Sequence, residues 1–216
     1  MVSPKRPGGR PPKIAIADIE RAGVRLGLRA LTVPAVAAEL GVTTAALYRH
    51  VDGKFGLETL VGERILADLD LVDDPTHDVA EHLVSMAVQL REFLMAHPGL
   101  TTYVQVLFPR GRSGEALLAR EVATLVARGC SPDAAVMAGT TVALLVISLT
   151  AAEESRREHS AHLEAIEERR QRALQSYVEQ GMDQPEMDQD AYFRYVISSC
   201  LHGILHSTGV GGASDA

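Results

Sequence analysis

The stretch GVTTAALYRHVDGK, residues 41–54, gathers an unusual density of hydrogen-bonding groups on a short segment. Leu47 and Val51 stand one helical turn apart and can anchor the segment to a core. Thr43, Thr44, Tyr48, Arg49 and His50 then point hydroxyls, a phenol ring, a guanidinium and an imidazole outward. A face of this kind suits a partner that offers both donors and acceptors. Elsewhere the residues capable of chemistry are sparser. His202 and His206 lie at i and i+4, a spacing that binds metal on a helix, but no Glu lies between them in the metalloprotease manner and no third ligand is near. Polar groups at an interface between subunits account for the pair better. His97 reads as a favourable charge at a helix C-terminus. Ser113 and Ser148 lack the surroundings of a nucleophile elbow, and no Gly-rich phosphate cradle occurs. No metal or cofactor is expected, and the chain does not read as an enzyme. The alternative reading is a helical enzyme or small-molecule carrier that shares a similar bundle.

The elements that must position the 41–54 segment are all helical. Ile16, Ile19, Val24 and Leu28 recur at helical spacing, with Gly27 ending the run. LTVPAVAAELG offers Thr32 as N-cap, Pro34 in the first turn and Gly41 just past the last apolar residue, with Val36, Ala37 and Leu40 facing inward. A further helix starts at Thr43 or Thr44 and ends near Val51. Another follows from about Gly53 to Asp70, with Asp52 able to cap it. Two short helices joined by a tight turn, after a longer one, are what a helix-turn-helix requires. Beyond residue 70, Thr76 is expected to cap a helix to about His97, PRGRSG reads as a loop, and residues 115–128 as an amphipathic helix. Ser131-Pro132-Asp133 opens a long helix with a hydroxyl cap, an early proline and a carboxylate near the positive dipole end. EQGMDQPEMDQD reads as a linker, and a last helix covers 191–207. The expected architecture is all-α, divided into a basic arm (1–13), a three-helix head (14–60), a helical body (61–208) and a tail (209–216).

Net charge is −7 over 216 residues, which argues against a polyanionic partner until the chain is split. Residues 1–64 hold ten Lys/Arg and six Asp/Glu, net +4, and the remainder eleven and twenty-two, net −11. A basic head on an acidic body directs phosphate to the head. The arm MVSPKRPGGRPPK is either a solvated tail or a strand for the minor groove of DNA, where Arg6 and Arg10 would meet negative potential. Two cysteines, Cys130 and Cys200, suggest no disulfide framework, and no secretory signal is visible, so a cytoplasmic location is the default. The apolar run nearest to a membrane span, residues 134–149, contains Thr and Gly and reads as a buried helix.

From Leu31-Thr32, through Ala37-x-x-Leu40-Gly41-Val42 and Leu47-Tyr48-x-His50-Val51, to Lys54-x-x-Leu57, the pattern resembles the tetracycline-repressor (TetR) family of transcription regulators. The resemblance covers residues 14 to about 64. It implies a homodimer that binds a palindromic DNA operator, with an effector pocket in each helical body. Thr43, Thr44, Ala45 and Ala46 then match positions that approach base edges, where hydroxyls hydrogen-bond and alanine methyls meet thymine methyls. Tyr48, His50 and Lys54 match backbone-binding positions, while Arg49 departs from the aromatic or small residue common there. Thr32 and Lys13 complete the expected DNA face. The body is similar in layout to the tetracycline-repressor branch through HPGL, the Pro109 loop and the Gly129-x-Ser131 corner. That branch carries a metal-binding His after HPGL. Here TTYVQVLFPRGR has none, and Glu153 and Glu154 alone do not make a metal site. Met86, Leu90, Tyr103, Val104, Phe108, Met137, Thr141 and Leu145 are expected to line an apolar cavity suited to a hydrophobic or aromatic effector. Val142, Ala143, Val146, Tyr192, Tyr195, Val196, Ser199 and Gly203 are expected to face the second copy in a four-helix interface.

Overall fold

The computed structural model describes residues 14–178 and 188–207, and every regular element among them is a helix. Arg6, Arg10, Lys13 and the 209–216 tail lie outside the described residues. Two compact units divide between Arg64 and Ile65.

The first unit contains α1 (Ile16–Leu26), a 3-10 turn (Leu28–Ala30), α2 (Val33–Glu39), α3 (Thr44–Leu47) and most of α4 (Gly53–Leu66). Ile19, Ala22, Val36, Leu47, Leu57 and Val61 form its core. The inner face of α1 differs from the one expected: Ala22 and Gly23 are buried, whereas Ile16 and Val24 face outward. The reason is the close approach of α4. A Cβ on Gly23 would lie 2.2 Å from Val61 Cγ2, so only the smallest residue fits.

The second unit contains α5 (Val79–Ala96), α6 (Leu100–Leu107), α7 (Arg112–Ala127), α8 (Pro132–Glu158), α9 (Ser160–Val178) and α10 (Gln189–Ser207). α8 runs through its centre, packed on α5, α6, α7 and α10. Ser131 caps it as expected, accepting from Ala134 N at 3.2 Å with Pro132 in the first turn. By length and composition α8 passes for a membrane span, yet half of its most apolar window is buried against other helices. The cap of α5 is Asp78 rather than Thr76. Asp78 accepts from Glu81 N at 2.8 Å and Glu81 accepts from Asp78 N at 3.0 Å, a reciprocal capping box, while the Thr76 hydroxyl bonds Asp74. α7 begins at Arg112, so the expected PRGRSG loop shortens to residues 109–111.

Candidate DNA-reading helix and effector cavity

The elbow between α2 and α3 is built from local bonds. Thr32 Oγ1 accepts from Ala35 N at 3.1 Å and starts α2. At its end, Gly41 N donates to Ala38 O (3.1 Å) and Val42 N to Ala37 O (2.9 Å), with Gly41 at φ +65°. That left-handed residue turns the chain into α3. Thr43 Oγ1 then accepts from Ala46 N at 3.3 Å. Leu47 and Val51 are buried and seat the segment. Thr44, Ala45, Tyr48, Arg49 and His50 are exposed, Ala46 half-buried, and Tyr48 is 59% accessible. None of the side chains of Thr44, Tyr48, Arg49 and His50 bonds another described residue. Lys54 is exposed beside them in sequence and pairs with Glu58 at 3.3 Å. Phe55, exposed next to Lys54, was not singled out by the sequence. Arg6, Arg10 and Lys13, expected in the same interface, are outside the described residues.

In the second unit a narrow cavity of about 40 Å³ lies among α5, α6, α7 and α8. Met86, Leu90, Val104 and Phe108 line it, joined by Leu66, Leu118 and Ile147 among others. Tyr103 is buried but is not part of the lining. Met137 and Thr141 are exposed on another face of α8, and Leu145 is half-buried, so these three leave the cavity set. The α8 residues that do face it are Gly139, Ala143 and Ile147, spaced by four.

Glu121 is the one ionisable residue in that lining and is only 8% exposed. Its two oxygens lie 3.0 and 3.1 Å from His82 Nε2. Gly139 leaves room for it, since a Cβ there would approach Glu121 Cγ to 3.3 Å. His82 Nδ1 meets Asp73 Oδ1 at 2.9 Å, and Arg128 Nη2 meets the same oxygen at 2.6 Å. Both ring nitrogens face carboxylates, an arrangement that favours the imidazolium. The hydrogen bond to Glu121 raises the His82 pKa, overcoming the burial that opposes it. At Asp73 desolvation pushes upward, but Arg128 and His82 together hold the pKa below the usual carboxylate value. This relay of alternating charge links the cavity wall to the segment ahead of α5. The sequence did not reveal it, because His82 and Glu121 are 39 residues apart and each reads alone as a surface residue.

Glu153 and Glu154 are committed to structure. Arg91 Nε and Nη2 donate to Glu153 at 3.0 and 3.1 Å, and Arg91 also pairs with Asp190 at 2.8 Å. Glu154 accepts from Gly99 N at 2.7 Å and from the Thr101 hydroxyl. Among the described residues no group of three metal-binding side chains occurs. His202 is exposed, with Nδ1 donating to Ser198 O at 2.7 Å.

Of the residues expected to face a second copy, Tyr192, Tyr195, Ser199 and Gly203 are exposed and Val196 is half-buried. Val142 and Val146 are not available to a partner: they are 1% and 0% exposed within the single chain, as part of the core stripe of α8, and Ala143 is buried too. The apolar residues that α8 does expose are Val136, Met137 and Leu144.

Comparison with known proteins places this architecture. Residues 72–207 match the family described as tetracyclin repressor-like, C-terminal domain. No characterised protein sequence matches significantly. Solved structures do: the Streptomyces coelicolor TetR family protein ActR in complex with actinorhodin (22% identity, TM-score 0.73, covering 93% of this chain and 99% of that one). A variant TetR from Acinetobacter baumannii AYE in complex with minocycline is similar at 19% identity and TM-score 0.68, covering 94% and 98%. Mycobacterium smegmatis BioQ is similar at 24% identity and TM-score 0.64, covering 92% and 99%. With a helix-turn-helix head and a body that matches the family over most of its length, the chain belongs to the tetracycline-repressor family of transcription regulators.

Proposed function

We propose that the protein is a homodimeric, cytoplasmic repressor that leaves a palindromic operator when a small hydrophobic or aromatic effector enters the body. One observation carries this reading: Leu66, the last residue of α4, lines the same apolar cavity as Met86, Leu90 and Phe108. The other end of α4 carries Lys54 in the DNA-binding unit. Ligand sites for drug-sized molecules span roughly 300–1,000 Å³. At about 40 Å³ the cavity must widen to admit one, and Leu66, Leu69 and Leu71 are part of the wall that has to move. An effector that binds the widened state better shifts the population toward it, displacing α4 and the recognition segment α3 from adjacent half-sites. Glu121 supplies the polar contact, accepting from a hydroxyl or amide N–H of the effector. That the similar structures of ActR and of a TetR variant are complexes with actinorhodin and with minocycline supports a small-molecule effector in the body.

The test has two steps. A thermal-shift screen finds compounds that raise the melting temperature, as any ligand well above its dissociation constant does. Fluorescence anisotropy on a duplex taken from upstream of the protein's own reading frame then measures DNA affinity with and without each hit. Stabilising compounds are expected to lower that affinity at least tenfold. A protein that binds no palindromic duplex, or stabilising ligands that leave DNA affinity unchanged, would refute the reading.

A further inference from the structure

A second, much larger cavity of about 860 Å³ lies between α5 and α10. It shares no lining residue with the Glu121 cavity. The helical repeat explains how α5 serves both: Glu81, Val84, Ser85 and Val88 form one face, while Met86 and Leu90 lie on another. Arg91 pairs with Asp190 near the start of α10, so the two helices run antiparallel along the cavity. Ala80, Val84, Val88, Leu201 and Leu205 give it an apolar floor.

Its charged groups are unbalanced. Arg194 and His206 bond no other described residue. His202 uses Nδ1 on the Ser198 carbonyl, which leaves Nε2 unengaged. His77 Nδ1 is buried with no hydrogen-bond partner among the described residues. Among the described lining residues the only carboxylate is Glu81, already held in the capping box of α5. A body with net charge −11 thus carries an open apolar cavity at whose edge the exposed Arg194, His202 and His206 side chains stand, while His77 Nε2 faces Asp74 at 3.7 Å.

We infer that this cavity is a second small-molecule site, which takes amphipathic carboxylates. The apolar tail lies along the α5 and α10 floor, and the carboxylate sits on Arg194, whose forked donors match its two oxygens. The Ser198 hydroxyl, one turn away on α10, is a further donor to it. A carboxylate pairs with the Arg194 guanidinium at the edge of the apolar floor, whereas a neutral isostere leaves that guanidinium without a partner and a cation is repelled.

Isothermal titration calorimetry on the full-length protein tests the assignment with three probes of one chain length: decanoate, decanol and decyltrimethylammonium. Decanoate is expected to bind about tenfold more tightly than decanol, the effect of one charge-assisted hydrogen-bonded pair, and the ammonium compound most weakly. Arg194→Gln should remove the preference for decanoate while leaving decanol affinity unchanged, and Arg194→Lys should keep part of it. Val88→Trp should fill the cavity and abolish binding of both. Should that variant not fold, judged by its circular dichroism melt, Ser198→Phe blocks the cavity from the facing helix. Equal affinity for decanoate and decanol would overturn the proposal, as would a preference that survives Arg194→Gln. Absence of any binding, the result if a second copy of the chain covers this face, would overturn it as well.

Discussion

Thr43 and Thr44 are neighbours with different duties. The Thr43 oxygen is occupied by Ala46 N and holds the start of α3, whereas the exposed Thr44 hydroxyl bonds no described residue. Thr43→Ala should therefore cost roughly 1 kcal/mol of stability as a lost N-cap. Thr44→Ala should leave the melting temperature unchanged and cost about 1–3 kcal/mol on the preferred duplex alone, if its hydroxyl reads a base. Anisotropy on specific and scrambled duplexes, beside melting curves, separates the two, and equal losses on both duplexes would remove Thr44 from base reading. Lys54→Ala should weaken both duplexes alike and lower the salt slope by about one. His82 makes a different prediction, in pH. Its folded pKa is raised above the ordinary 6.5, so the stability it contributes is complete below that value and is lost as pH rises through the folded pKa. Asp73 acts at the opposite end: its pKa is held below 3.8, so its contribution is present above 3.8 and lost as pH falls through the folded value. Melting temperatures taken from pH 6 to 9 should fall with rising pH in the native protein. His82→Gln should be less stable throughout, because Glu121 loses its partner, and should show a shallower alkaline fall. Parallel slopes for the two proteins would contradict the imidazolium assignment.

At the scale of elements, what could be read in the sequence was local and what could not was relational. The α2–α3 elbow was legible because Thr32, Gly41 and Thr43 act on backbone groups within four residues of themselves. Ser131 was legible for the same reason. The inner face of α1 was not, since periodicity favours the larger Ile16 and Val24 and does not record that α4 passes within reach of Gly23. α8 misled more, because it is apolar on several sides: its spacing cannot tell the stripe of Val142 and Val146 from that of Met137 and Thr141, and only the packed neighbours decide. Arg91 and Glu153 are partners across 62 residues, a distance at which sequence carries no sign of pairing. The Gly23 contact is itself testable. Gly23→Ala gains up to about 1 kcal/mol of helix propensity but forces a methyl into Val61, an overpacking cost of about 1–3 kcal/mol. A net loss of stability is expected, together with recovery in the double variant Gly23→Ala, Val61→Ala relative to the sum of the single changes. Additive losses in thermal melts would show that the two residues do not meet.

At the scale of the whole molecule, the charge split and the exposed apolar residues point the same way. Phosphate is attracted to a head of net +4 and repelled by a body of net −11, and in the proposed mode one short recognition helix on one head reaches few base edges. Two heads on one dimer convert the second contact into an intramolecular event, which multiplies affinity by roughly 10²–10⁴. The proposed surface for such a dimer lies on α8 and α10, which pack on each other and leave Met137 and Tyr195 each 60% exposed. Such aromatic and Met side chains are enriched where proteins associate. Placing a charge there separates assembly from folding, because neither residue belongs to the core of the single chain. Tyr195→Glu and Met137→Glu are expected to keep the helical circular dichroism signal and yield monomers by light scattering. They should also lose at least a hundredfold in affinity for a duplex carrying two half-sites, with little change on a single half-site. Val146→Glu, fully buried within one chain, should instead fail to fold, since an unpaired carboxylate in that core has no compensation. If the Tyr195 and Met137 variants remain dimeric and bind the two-site duplex as before, the self-association surface lies elsewhere on the body, and α8 and α10 expose these residues for another partner.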